Sequence, residues 1–155
     1  MMEHTLITIG RQFGSGGHEV GNRLAERLDI PLYDHNLLRM AARELGVSDE
    51  DVAKVDETML GRFLSGYANV INTFIYAYKD DRLNRIMDIY KLTEKQAADK
   101  IKKTDRERKL YYEARTGREW GGIESNSMLF NTSLLGIDGV TDALEAIYRK
   151  WESRG

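Results

Sequence analysis

Apolar residues recur along this chain in two rhythms. Leu6-Ile7-Thr8-Ile9 is a short apolar run that stops at a glycine, which predicts a buried strand. Val20, Leu24 and Leu28 then return every fourth residue and predict one face of a helix. Ile30 to Asp34 predicts a second short strand, with Pro31 near its start where a missing N–H is tolerated. Leu37, Leu38, Met40, Ala41 and Leu45 predict the next helix, closed by Gly46. Ser48-Asp49-Glu50-Asp51 has the capping-box pattern and opens a helix carrying Val52, Val55 and Met59. Residues 61–69, GRFLSGYAN, fit neither rhythm.

Val70 to Ala77, VINTFIYA, is β-branched, aromatic and uncharged, and predicts a strong strand. Leu83, Ile86, Met87 and Tyr90 follow at helical spacing. Thr93, with Gln96 three residues on, caps a long charged helix that runs to about Gly117. Its apolar positions (Ala97, Ala98, Ile101, Leu110, Tyr111) are sparse, so most of it faces water. Met128 to Asn131 predicts the last strand, and Asp138 caps a final helix with Val140, Leu144, Ile147 and Trp151. Strands alternating with helices imply an α/β fold with a parallel sheet covered on both faces. Ligands in such sheets bind beyond the carboxyl ends of the strands.

Composition narrows the class. A chain of 155 residues reads as one domain. A domain of that size buries roughly 70% of the surface its unfolded chain exposes, enough for a real core. Lys and Arg number 23 against 25 Asp and Glu, a balance that argues against a nucleic-acid partner. There is no cysteine, hence no disulfide framework and no thiolate metal site. No run of 18 apolar residues and no signal-peptide pattern stand in the chain, so a soluble cytoplasmic protein without a membrane partner is expected. Assembly with copies of itself stays open.

The chemistry starts at GRQFGSGGHEVG, residues 10–21. Glycines at 14, 16 and 17 let backbone N–H groups turn toward a phosphate, and the following helix adds the positive end of its dipole. The usual pattern is G-x-x-x-x-G-K-[ST]. With its second glycine set on Gly16, Arg11 stands at the first glycine, Gly17 at the lysine and His18 at the hydroxyl residue. The pattern has therefore lost a cation and a magnesium ligand, and Arg11 or His18 is left to supply charge. A dinucleotide fingerprint fits less well: Gly14 and Gly16 match, but Gly21 comes two positions late. A glycine-rich turn without ligand is the remaining alternative.

The second informative stretch is KIKKTDRERKLYYEARTGREW, residues 100–120. Phosphoryl transfer needs cations around the moving group, and Arg106, Arg108, Arg115 and Arg118 lie on or just after this helix. Arg108 and Arg115 are seven apart and share a face. A solvated helix laced with i, i+4 pairs is the competing reading.

Together ITIGRQFGSGGHEVGNRLAERLDIPLYDHNLL, FIYAYKDDRLNRIM, DRERKLYYEARTGREWG and NTSLLGID resemble the cytidylate kinase-like family, within the nucleoside monophosphate kinases of the P-loop fold. The resemblance implies a three-layer P-loop kinase fold, a parallel sheet flanked by helices with a helical lid at about 92–120. It implies an enzyme that moves the γ-phosphoryl group of ATP, with Mg2+, to a nucleoside monophosphate or related small acceptor. On it, Gly14, Ser15, Gly16, Gly17 and His18 would hold the donor phosphates, and Arg11 is expected to join them as a cation beside the loop. Arg106, Arg108 and Arg115 would act from the lid, and Asp34, His35 and Arg82 would meet the acceptor. Arg85 matches a second basic position beside Arg82. Two departures stand out. The loop lacks the Walker lysine, so a non-catalytic nucleotide-binding or sensing protein is the alternative. The strand and helix that family members carry before VINTFIYA are absent around 61–69; their true absence would leave interior backbone unpaired, which points to a missing segment there, with a shortened natural variant or a swapped partner strand as alternatives.

Overall fold

A computed structural model of the chain describes residues 5–34, 46 and 69–154. The helices expected over 37–45 and 48–59, the stretch 61–68 and His35 lie outside the described residues. Three parallel strands form the sheet in the order β1 (Thr5–Arg11), β2 (Asn69–Tyr76), β3 (Met128–Asn131). The register sets Thr5 beside Asn69 and Arg11 beside Ile75, then Thr73 beside Met128 and Tyr76 beside Asn131. The carboxyl ends of β1 and β2 therefore finish at the same level. Four α-helices, α1 (Gly17–Leu28), α2 (Lys79–Tyr90), α3 (Glu94–Thr116) and α4 (Thr132–Glu152), and a short 3-10 helix at Ile123–Ser125 complete the described chain.

The two faces of the sheet are filled differently. On one, α1 and α4 pack side by side, and Val20, Leu24, Ile75, Val140 and Leu144 make the core with Ile7, Ile9 and Phe130 against them. The predicted stripe of α1 is the buried one, since Val20 and Leu24 both lie inside. Arg23 pairs with Asp138 and Arg27 with Asp142 along the outer rim of the two helices. On the other face Phe74 meets Trp120 edge to face, ring centroids 5.1 Å apart. Thr8 and Asn72, register partners, hydrogen-bond through their side chains on that face at 2.8 Å.

The capping box of α3 forms: the Thr93 N–H donates to Gln96 Oε1 at 3.0 Å, and the Gln96 N–H donates to Thr93 Oγ1 at 3.3 Å. The helix ends at Gly117, in the left-handed region at φ 64°. Of its 23 residues only Ala97 is buried, as its sparse apolar positions predict.

Two sequence expectations change. Ile30 to Asp34 is irregular chain. A strand exists only with a partner, and among the described residues β1 pairs on one side only, with β2. The last helix starts earlier than Asp138. Asn131 caps it, accepting the Ser133 N–H at 2.9 Å, and the helix breaks at Gly136 (φ 69°, ψ 170°) before resuming. The Asp138 carboxylate binds Arg23 instead of a backbone N–H. Among the described residues no helix is long and apolar enough to cross a membrane.

Candidate functional site

The glycine loop joins β1 to α1 at the carboxyl end of the sheet. Gln12 anchors it: its N–H donates to the Ile75 carbonyl at 3.0 Å, and its Oε1 accepts the Ala77 N–H at 3.2 Å. Thr132, at the start of α4, closes the far side by donating to the Ser15 carbonyl at 2.6 Å. Ser15 is buried, and its Oγ accepts the Gly17 N–H at 3.2 Å. Gly14 and Gly16 take φ of 81° and 80°, values that disfavour side chains, and the turn between them, closed by the Ser15 N–H donating to the Gln12 carbonyl at 3.2 Å, leads into the positive end of α1. The loop is tightly surrounded. A Cβ on Gly14 would stand 3.0 Å from the Arg82 carbonyl and from Ile86 Cγ1, and one on Gly16 would stand 2.9 Å from Ile137.

Gly17, which occupies the lysine position, is glycine for a different reason. A Cβ there would lie 2.7 Å from Arg11 Cβ and 2.9 Å from Arg11 Cδ. The Arg11 side chain crosses the first turn of α1 over the ground where a residue-17 side chain would begin. Arg11 and Gly17 are thus a matched pair. The arginine at the first-glycine position forces glycine at the lysine position, and it brings a guanidinium of its own. Burial lowers the Arg11 pKa, the nearby Arg108 lowers it further, and Asp34 partly offsets both.

Cations gather at the loop from two helices. The Arg85 guanidinium lies 3.5 Å from where a Gly16 Cβ would stand, and it pairs with Glu19 on the first turn of α1. Burial pushes the Glu19 carboxyl up, but hydrogen bonds from Arg85 and Arg23 outweigh it and hold the group below its ordinary value. Arg108, from α3, donates to the Arg11 carbonyl at 3.3 Å and lies over the Phe13 ring. Burial lowers its pKa, against the charges of Asp105 and Tyr90. Arg82 is nearly buried and donates to Asp105 at 2.7 Å and to the Phe13 carbonyl at 3.4 Å.

Beside the loop, along the edge of β1 away from β2, opens a cavity of about 1020 Å³ lined among others by Arg11, Gly17, His18, Asp34, Tyr111 and Arg115. His18 is exposed at its rim. Arg115 stacks on Tyr111 one helical turn back, 3.6 Å from the ring centroid. The expected site residues therefore divide. Arg11, Gly14 to His18, Arg82 and Arg108 meet at the loop, while Asp34 and Arg115 face the cavity. Arg106 is exposed, two positions from Arg108 and hence on another side of α3. Four residues at the loop had no role in the sequence reading: Gln12, Glu19, Asp105 and Thr132. Each lies inside a quoted stretch, Gln12 and Glu19 in GRQFGSGGHEVG, Asp105 at the head of DRERKLYYEARTGREWG and Thr132 in NTSLLGID, but the stretch alone does not single it out.

The model of the cytidylate kinase-like family matches residues 6–68 and 61–134. The chain belongs to the cytidylate kinase-like family. Its two matched segments share residues 61–68. Family membership suggests a nucleotide kinase. The chain is also similar to the crystal structure of an uncharacterized protein from Eubacterium ventriosum ATCC 27560, at 30% identity and a TM-score of 0.77. That likeness covers 91% of this chain and 96% of the other. The mixed α/β architecture, with its parallel sheet flanked by helices, is consistent with a P-loop kinase-like fold. No curated protein matches the chain.

Proposed function

We propose that the protein is a small-molecule kinase that transfers the γ-phosphoryl group of ATP to a nucleoside monophosphate of cytidylate type, with Mg2+ as its ion. The observation that carries the proposal is the Arg11–Gly17 exchange. The loop that lacks the Walker lysine has the aliphatic stem of Arg11 across the same position, Cβ and Cδ 2.7 and 2.9 Å from where a residue-17 Cβ would stand, and the arginine is the cation that would act in the lysine's stead.

The residues present fit a nucleotide. The glycine loop offers backbone amides at a helix N-terminus, and Arg11, Arg85 and Arg108 supply charge from three directions. The Nε of Arg82 is buried and has no hydrogen-bond partner among the described residues, so a guanidinium N–H is available to an acceptor beside the loop. Leu134 and Leu135 are exposed, 76% and 46%, where the chain leaves Thr132 for Gly136, and they offer an apolar ledge for a base. Mg2+ would neutralise the phosphates. Among the described residues no group of three acidic or histidine side chains stands ready for it, so phosphate and water oxygens would hold it. The work of the chain is then positioning and charge neutralisation, with no covalent intermediate. Arg11 and Arg108 would hold the transferred group, and α3, as the lid, would exclude water from it. The acceptor would lie in the cavity, with Asp34 and Arg115 at its wall. The division of the family match at 61–68 supports the reading that a family segment is missing from this sequence there.

The second reading is a nucleotide-binding protein without transfer activity, favoured by the lost hydroxyl at His18. Calorimetry with ATP, with and without Mg2+, on wild type, Gly17→Asp and Arg11→Gly tests the loop. We expect wild type to bind and both variants to lose binding, the first by repulsion and the second by loss of the cation. Transfer to nucleoside monophosphates then separates kinase from binding protein. Absence of binding by wild type at millimolar ATP would remove the foundation of both readings.

A further inference from the structure

α3 is poorly provided with apolar contacts, yet it lies against the glycine loop. The stripe it turns inward is Ala97, Ile101, Asp105, Arg108 and Tyr112, at spacings of three and four, and two of these five carry charge. Asp105 sits at the centre. Its Oδ1 accepts the Phe13 N–H at 2.7 Å and its Oδ2 accepts from Arg82 at 2.7 Å. The side chains of the pair are only 12% and 17% exposed. One carboxylate therefore ties together the glycine loop, the first turn of α2 and the middle of α3. Phe13 is gripped on two further sides. Arg108 stands 5.6 Å from its ring centroid and Lys100 5.9 Å, with Lys100 also 4.9 Å from the Tyr90 ring.

Magnitudes favour the carboxylate over the aromatic contacts. A hydrogen bond to a charged group is about twice as strong as one between neutral groups, and Asp105 makes two of them. A partly exposed cation–ring contact is weaker than either. With Ala97 as the single buried apolar residue of the helix, little else among the described residues opposes undocking of α3.

We propose that Asp105 is a positioning residue, the latch that makes the docking of α3 and the shape of the glycine loop one event. It acts through Phe13 and Arg82 and touches no reacting atom. The proposal deepens the kinase reading, because a lid latched to the loop brings Arg108 to the phosphates. Its first test needs no nucleotide, so the two readings can fail separately.

Hydrogen exchange on the ligand-free protein reads the latch directly. In wild type the Phe13 amide is expected among the protected amides of the loop; exchange at the rate of an open loop overturns the proposal without any variant. Asp105→Asn keeps the shape but replaces one acceptor with a donor. We expect amides of 10–17 and 97–112 to exchange at least about tenfold faster, with β2 and the 140–147 part of α4 unchanged. Arg82→Gln should reproduce the pattern, and the double variant should add nothing. Unchanged exchange in α3, or uniform acceleration that includes β2, overturns the latch. In a transfer assay D105N should lower kcat by about tenfold and move the KM for ATP less than about threefold, since a lid residue acts after binding. Equal effects on kcat and KM overturn the positioning role. If ATP fails to bind wild type while the exchange pattern appears, the latch stands and the kinase proposal falls.

Discussion

Replacing Gly17 with alanine places a methyl group 2.7 Å from Arg11 Cβ and 2.9 Å from Arg11 Cδ. Arg11 Cβ is fixed to the end of β1, so no rotamer change relieves the closer contact. Overpacking of this kind costs about 1–3 kcal/mol, and this case belongs near the top of the range. Alanine returns about 0.5–1 kcal/mol through its helix preference, which leaves a net loss of roughly 1–2 kcal/mol. For a chain of this size each kcal/mol lowers Tm by about 2–4 °C. Arg11→Gly removes both clashing carbons and recreates the first glycine of the Walker pattern. The double variant Arg11→Gly/Gly17→Ala should therefore be more stable than the sum of the two single changes predicts, by about 1.5–3 kcal/mol. Thermal melts of the four proteins measure the cycle. Additive effects, or a stabilising Gly17→Ala, would refute the claim that the two positions compete for one space. ATP calorimetry on the same set should show that Gly17→Ala weakens binding through the displaced guanidinium, although residue 17 itself carries no charge.

Glu19 gives a pH prediction. Its folded pKa lies below the ordinary 4.5, so its contribution is present above that value and is lost as pH falls through the folded pKa. The Tm of wild type should drop more steeply below about pH 4.5 than that of Glu19→Gln; parallel curves would remove Glu19 from the account. Leu144 is 1% exposed in the α1–α4 core, and Leu144→Ala should cost about 2–5 kcal/mol in a denaturant melt. A cost under 1 kcal/mol would mean that the core is looser than described. Thr93→Ala removes one half of the capping box and should cost about 1 kcal/mol, seen as faster exchange in the first turn of α3.

The strands and helices that the sequence showed clearly were those whose signals are local. Val70 to Ala77 needs only its own composition to read as a strand, and Thr93 with Gln96 marks a helix start within four residues. Ile30 to Asp34 had β composition but no partner among the described residues, and pairing is not written in the strand itself. The site behaved the same way. The glycine loop was visible because phosphate cradles have a short spacing rule. Arg11 and Gly17 were both visible as departures from it, but their dependence on each other required the distance between them. Asp105 was hidden in a charged run that reads as solvated, and its partner Phe13 lies 92 positions away. Arg106 and Arg108 look alike in sequence. Only the rotation of the helix separates an exposed side chain from one at the loop.

The parallel pairing of β1 with β2 bears on how the chain folds. Thr8 and Asn72, side by side in the sheet, are 64 positions apart. The first pairing of the sheet must therefore close a long loop before any ladder hydrogen bond rewards it, which puts this step among the slow, non-local events of folding. The same closure entropy grows only with the logarithm of loop length, about 0.6 kcal/mol per doubling. Lengthening or shortening the chain between β1 and β2 by tens of residues thus changes the stability of their pairing by less than the loss of one core methyl group would. The glycine loop and the α1–α4 core can persist while the chain between β1 and β2 varies in length.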